Sequence, residues 1–559
     1  MGRAGMMLIG LVALLAGAPA RAAVPARHAM VVAAQRLAAA AGLAMLRQGG
    51  NAIDAAVASA WAEAVVDPCC GNIGGGGFMV IHLAHGRMAF LDFRETAPAA
   101  ARANMYLDAS GRVVPGASLH GYLAVAVPGT VLGLETARRR WGRLSRAAVM
   151  APAIRLAREG FVLGPADVAI LRYGTRTFRA QPNIARRFLG TDGRPLRAGA
   201  RLVQPELART LEAIAAGGAR AFYHGRIPRE IARASRAGGG ILTTADFARY
   251  RVGIGRPLAC SYRGWRLYSA PPPSSGGVSM CEILGVLAGY DMRALGFHSA
   301  RAVHVMAEAM RNAFRDRNTA LGDPAFVHNP IARLLSPAHL AAIRARILPD
   351  RATPSRDLPA PSASREKPQT TQISTIDAAG NAVSLTYTLN GFFGAGVMAG
   401  DTGFFLNDEM DDFTSKPGVP NMFGLVQGRA NAIAPGKRPL SSMAPTIVMR
   451  HGRVFLVLGS PGGSRIITIT LEAAMNVIDY GMGPQAAVDA PRFHEQWLPD
   501  VIFAEPGAFS AHVVRRLSRM GYRLRIGGQW GAAEMIEVTP QGFLGANDRR
   551  RPAGAALGF

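Results

Sequence analysis

A layered α/β fold is predicted by this sequence, because helical segments and β-hairpins alternate along its length. Two kinds of signal carry that prediction: Ala- and Leu-rich runs that stop at glycine, and short strands joined by turn residues. Residues 33–47 have helical composition and stop at Gly49-Gly50. Asn51 suits the N-cap of a second helix over 52–66, with Asp54 near its positive end. Residues 71–77 form a tight glycine-rich turn. It lacks the Lys-Ser/Thr of a phosphate loop, so its glycines indicate close backbone packing rather than nucleotide binding. Residues 78–83 and 88–93 pair as a hairpin around His85-Gly86, which leaves Arg94 at the end of the second strand. From 128 to about 346 the pattern is mostly helical, at 131–140, 146–159, 204–216, 278–287 and 300–318. Strands return at 373–376 and 382–389, joined by Asp377-Ala378-Ala379-Gly380-Asn381, and at 446–450 and 454–458 around His451-Gly452. A helix over 465–480 follows, and no internal repeat is present.

The formal charge of +26 raises nucleic-acid binding as a function class. The distribution argues against it. Lys367, Lys416 and Lys437 are the sole lysines, and the arginines are scattered, with no run longer than Arg138-Arg139-Arg140 or Arg549-Arg550-Arg551. That pattern fits an Arg-biased, solvated surface better than a binding stripe. Arg3, the apolar run 6–16 and the A-x-A-like Ala20-Arg21-Ala22 read as a signal peptide over 1–22, so export to the periplasm of a Gram-negative cell is expected. An uncleaved membrane anchor is the alternative, but the run is too short to span a bilayer. In an oxidising compartment, adjacent Cys69 and Cys70 are poor partners for each other. Cys260 and Cys281 are equally readable as a bridge or as two buried thiols. With no CxxC pair and no HExxH, no metal or other cofactor is expected.

The junction at Thr370 bears most directly on function. The 349–369 stretch is rich in Pro, Ser and Arg and reads as a flexible linker, and a strand begins just after it. Read alone, this is an ordinary loop before a strand in which β-branched Thr belongs. It is also where a chain that cuts itself between Gln369 and Thr370 would expose an N-terminal threonine, whose own α-amine serves as its base. Thr371 competes for that role.

The segment 370–394, TTQISTIDAAGNAVSLTYTLNGFFG, resembles the start of the small subunit of the γ-glutamyltransferases, also called γ-glutamyl transpeptidases or glutathione hydrolases. Further blocks resemble the same family in the same order: NAIDAAV at 51–57, GGGGFM at 74–79, DFRE at 92–95 and PPPSSGG at 271–277. MDDF at 410–413, KRPLSSM at 437–443, GSPGGSR at 459–465 and APRFH at 490–494 complete the series. The resemblance implies a four-layer αββα sandwich of the N-terminal-nucleophile hydrolases, formed by a large subunit, 23–369, and a small subunit, 370–559, from one precursor. It implies Thr370 as nucleophile and Thr388 as the threonine that hydrogen-bonds it. It places the oxyanion hole at Gly462 and Gly463. Arg94, Ser441 and Ser442 would hold the substrate α-carboxylate, and Asp412, helped by Glu409 and Asn390, the α-amine. The implied activity is transfer of a γ-glutamyl group from glutathione and related compounds to water or to an amino-acid or dipeptide acceptor. A cephalosporin (glutaryl) acylase and a non-catalytic relative are the alternatives.

Two departures from the family pattern stand out. Gln372 occupies a position that is usually His, and Phe423 replaces a tyrosine in a lid over 417–438, which puts lid closure and the balance of hydrolysis and transfer in doubt.

Overall fold

The computed structural model describes residues 22–355 and 370–559. The expected signal peptide up to residue 21, most of the linker and Gln369 lie outside the described residues. Two seven-stranded antiparallel sheets form the centre. One runs Val24–Ala26, Gly542–Asn547, Glu534–Thr539, Arg453–Gly459, Thr446–Arg450, Trp265–Ser269, Leu258–Tyr262. The other runs Ala555–Gly558, Ala29–Ala33, Thr371–Asp377, Ala382–Thr388, Gly76–His82, Met88–Asp92, Gly253–Gly255. Period-2 alternation sorts the second sheet's side chains. Val31, Ala33, Met79, Ile81, Ile373, Val383 and Leu385 join one core with the helices Arg36–Arg47 and Ala52–Val66. Met30, Val32, Phe78, Val80 and Ile376 face the other sheet, whose far side packs on Gly276–Leu287 and Ile466–Ile478, with Ala300–Ala320 against the first of these helices. The order is helix, sheet, sheet, helix, as expected.

The hairpin Thr371–Asp377/Ala382–Thr388 is buried along its whole length. Its inter-sheet face is polar, and the groups there satisfy one another. Gln372 accepts from the Thr386 hydroxyl at 2.6 Å and donates to Ser384 Oγ at 3.0 Å, while Ser374 and Ser384 donate to the carbonyls of Glu534 and Leu458. Gln372 therefore has a structural place between the sheets. On the opposite face the wholly buried helix Ala52–Val66 lies along the strand. Its first N–H donates to Asp377 Oδ2 at 2.9 Å, and Glu63 near its other end accepts from Thr371 Oγ1 at 2.8 Å. The capping box of Asn51 with Asp54 forms as the sequence indicates.

Several expectations need correction. Residues 33–35 are not helical. Ala33 pairs with Ile373, so strand pairing overrides alanine's helix propensity and the helix starts at Arg36. Gly76 and Gly77 belong to a strand, although the close-packing reading of the glycines holds: a Cβ on Gly75 would lie 1.9 Å from the Thr388 carbonyl oxygen. The middle region also contains the hairpin Leu258–Tyr262/Trp265–Ser269, turned at Arg263-Gly264 with both residues at positive φ. Cys69 and Cys70, expected to avoid each other, are disulfide-bonded, as are Cys260 and Cys281. The Cys69 pair sits in a turn closed by hydrogen bonds from Cys70 and Gly71 to the Asp67 carbonyl, which holds the two side chains together. The arginines are not confined to the surface either. Arg94, Arg317, Arg492 and Arg551 are buried, the last paired with Asp67.

Burial, reinforced by the charge of Asp67, pushes the Glu63 carboxyl up to about 8 from an ordinary 4.5. The folded chain thus keeps a proton that the unfolded chain releases, and stability is lost as pH rises from about 4.5 to 8, then levels off. Glu63→Gln should make that decline shallower by up to about 1.4 kcal/mol per pH unit, measured by denaturant titration at pH 5.5 and 8. An unchanged slope would contradict the buried proton.

Candidate active site

The strand register brings Thr370 to the site. Thr371 lies opposite Tyr387, so Thr370, one residue earlier, meets Thr388. The Thr370 hydroxyl donates to Thr388 Oγ1 at 3.2 Å, and that oxygen also accepts from Asn390 N–H at 2.8 Å. Thr371 points to the other side of the sheet, toward Glu63. Thr370, Thr388, Arg94, Asn390, Glu409, Asp412, Ser441, Ser442 and Gly463 line one pocket, with Phe423, Met443 and Ile466 closing its walls.

Each wall has a local cause. Gly462 and Gly463 adopt φ values of 147° and 58°, a conformation that L side chains rarely adopt. They turn the chain from the strand Arg453–Gly459 into the one-turn helix Gly463–Arg465 and then Ile466–Ile478. Gly463 lines the pocket, with Gly462 immediately before it. Asn390 also has positive φ, at 74°, and its amide donates to the Asp408 carbonyl at 3.1 Å. Ser441 is anchored by N–H donation to the Pro273 carbonyl at 2.8 Å, which explains why the PPPSSGG block abuts the serines. Phe423 is buried against the pocket, held by Gln496 donating to its carbonyl at 3.0 Å, while Asp411 accepts from Met422 N–H at 2.9 Å. Phe423, in the segment 417–438, therefore lines the pocket.

The charges are concentrated. Arg94 is fully buried, donates through Nε to the Pro439 carbonyl at 3.1 Å, and ion-pairs with both Glu409 and Asp412. Glu95 Oε2 lies 3.5 Å from it. Burial opposes the charge on Arg94, but these carboxylates outweigh burial and hold its pKa above the ordinary value. Burial also raises Glu409 well above the carboxylate range, raises Asp412, and pushes Glu95 up to about 7. Such a cluster has donors for a carboxylate and acceptors for an ammonium within a few ångströms.

The sequence profile of the family described as Gamma-glutamyltranspeptidase matches residues 38–558. The chain belongs to this family. It is 52% identical over 552 residues to a glutathione hydrolase proenzyme of Pseudomonas sp. (strain A14), covering 97% of this chain and 96% of that one. It is 44% identical over 539 residues to the glutathione hydrolase proenzyme of Escherichia coli (strain K12), covering 96% and 93%. The fold matches the crystal structure of a cephalosporin acylase from Bacillus halodurans with TM-score 0.86 and 27% identity, over 99% of each chain.

Within this family member, sequence reasoning missed Glu95 and Arg317 at the site. Glu95 was legible only as the last letter of the DFRE block. Arg317 sits in the last turn of the helix Ala300–Ala320 among other arginines, and nothing in its local pattern marks it. Among the described residues no helix is long and apolar enough to cross a membrane.

The ion-pair geometry yields a stability prediction. Arg94→Ala strands Glu409 and Asp412 in a buried site and should cost about 3–5 kcal/mol in denaturant unfolding, with Arg94→Lys costing clearly less. Equal stability of Arg94→Ala and the parent would show that the pair is not formed.

Proposed function

We propose that the protein is a self-processing γ-glutamyltransferase that acts on glutathione and related γ-glutamyl compounds. The observation that carries this reading is the meeting of the Thr370 hydroxyl, the Gly462-Gly463 turn and the Arg94–Glu409–Asp412 cluster at one pocket. The names of the relatives, glutathione hydrolase proenzymes, support both the substrate class and a precursor.

In the precursor the Thr370 hydroxyl attacks the Gln369 carbonyl carbon, the C–N bond breaks, and water hydrolyses the resulting ester. The products are a large subunit ending at Gln369 and a small subunit, 370–559, which stay together as a heterodimer. Thr370 then has a free α-amine. That amine takes the hydroxyl proton as Oγ1 attacks the γ-carbonyl carbon of the substrate, with Thr388 orienting Oγ1. The oxyanion is met by N–H groups of Gly462 and Gly463, each such donor contributing roughly 3–4 kcal/mol to the barrier reduction. Collapse expels the amine, which leaves with the proton, and a γ-glutamyl ester remains on Thr370. Water releases glutamate from it; an amino-acid or dipeptide amine takes the γ-glutamyl group instead. Arg94, Ser441 and Ser442 hold the α-carboxylate, and Asp412, Glu409 and Asn390 the α-ammonium. All these roles belong to protein groups, so the mechanism calls for no metal or cofactor. The signal-like N-terminus supports export to the periplasm.

The fold likeness to a cephalosporin acylase favours glutaryl amides as a second reading. A glutaryl group has no α-amine, and the carboxylates of Glu95, Glu409 and Asp412 around Arg94 favour a substrate that brings one.

Thr370→Ala should migrate as one uncut chain and show no γ-glutamyl-p-nitroanilide hydrolysis, whereas Thr371→Ala should still be cut. Normal cutting of Thr370→Ala would assign the nucleophile elsewhere.

A further inference from the structure

Arg317 lies in the helix Ala300–Ala320, 1% exposed, behind the pocket wall that Ser442 forms. Four of its five N–H bonds have acceptors. Nε donates to Ser275 Oγ at 2.9 Å, Nη1 to Asn318 Oδ1 at 2.7 Å and Gln427 Oε1 at 3.0 Å, and Nη2 to Ser442 Oγ at 3.0 Å. Every acceptor is neutral, and among the described residues Arg317 has no ion pair. A buried cation without a partner is costly. Burial, only partly offset by the more distant Asp412 carboxylate, pulls its pKa down to about 10. Arg94 is the opposite case, already balanced by the carboxylates around it.

The direction of the hydrogen bonds matters. Arg317 can only donate, so Ser442 Oγ is the acceptor of that contact, and the Ser442 proton must go elsewhere. Among the described residues it meets no acceptor, and Ser442 lines the pocket. Ser441 is set similarly, its oxygen accepting from Met443 N–H at 3.0 Å. Gln427, besides accepting from Arg317, donates to the Asp412 carbonyl at 3.0 Å. One guanidinium thus ties together a serine on the carboxylate side of the pocket and the aspartate on the ammonium side.

We propose that Arg317 is a positioning residue that commits the Ser442 hydroxyl to donate into the pocket and supplies a positive charge, with no ion-pair partner among the described residues, for the α-carboxylate of a γ-glutamyl substrate. This extends the function proposed above and rests on it. The substrate carboxylate is the direct ion-pair partner that Arg317 lacks among the described residues, where the Asp412 carboxylate acts on it only from beyond contact.

The experiment is a double-mutant cycle of Arg317→Gln and Ser442→Ala, assayed with L-γ-glutamyl-p-nitroanilide and with 4-aminobutanoyl-p-nitroanilide, which lacks the α-carboxylate. Arg317→Gln should raise KM for the first substrate about ten- to a hundredfold with kcat within about threefold, and lower kcat/KM for the second by no more than about threefold. The double variant should be no worse than the weaker single variant, because Arg317 acts through Ser442. Equal losses on both substrates, or single penalties that multiply, would overturn the role. If Arg317→Gln does not fold, Arg317→Lys replaces it in the cycle: a KM rise confined to the carboxylate-bearing substrate supports the proposal, and parent-like or indiscriminate kinetics refute it. A parent enzyme that cleaves neither substrate would instead overturn the γ-glutamyl reading itself.

Discussion

The antiparallel register of one buried hairpin governs the rest of the site. With Thr371 opposite Tyr387, the residue before the strand falls beside Thr388, and the two hydroxyls meet at 3.2 Å. A slip of one residue would turn Thr371 into the pocket and Thr370 out of it. Both faces guard against such a slip. The helix side holds Thr371 to Glu63 and Asp377 to the first N–H of Ala52–Val66, and the inter-sheet side uses the Gln372, Ser374 and Ser384 hydrogen bonds. Polar residues at the centre of a two-sheet core are satisfied by one another and by strand carbonyls, so they add registry without leaving Gln372, Ser374 or Ser384 unpaired.

Around that fixed hydroxyl the fold assembles charge it could not tolerate singly. Arg94 is held by Glu409 and Asp412 from a single short turn, and the glycines at 74–77 let Gly76–His82, the hairpin partner of the strand that precedes Arg94, run against Thr386 and Thr388. Ser441 and Ser442 come from a segment bonded to the PPPSSGG block, and Arg317 backs it from a third element. Residues hundreds of positions apart therefore converge through backbone anchors, as at Ser441, together with side-chain pairs, as at Arg94 and Arg317.

Much of this was legible in the sequence. The Asn51 cap marked the helix 52–66, helical pattern the helix 146–159 and turn residues the hairpins at 78–93 and 446–458, and the structure reproduces them within two residues. Residues 29–33, 258–269 and 534–558 were not read as strands, since their pairing partners are distant and their patterns irregular. The candidate site residues were legible through ordered motifs, and the structure draws all but Gly462 to the lining of one pocket, with Gly462 next to Gly463. Arg317 was not, because what distinguishes it is burial beside neutral acceptors, a property of packing that no spacing encodes. The Cys69–Cys70 bond was missed for a related reason: the turn that joins them is set by tertiary context.

The central claim is that scission before Thr370 creates the catalytic amine. N-terminal sequencing of the smaller chain of the purified protein tests it most directly. The account predicts a sequence beginning Thr-Thr-Gln-Ile-Ser; a single intact chain, or any other first residue, would contradict it.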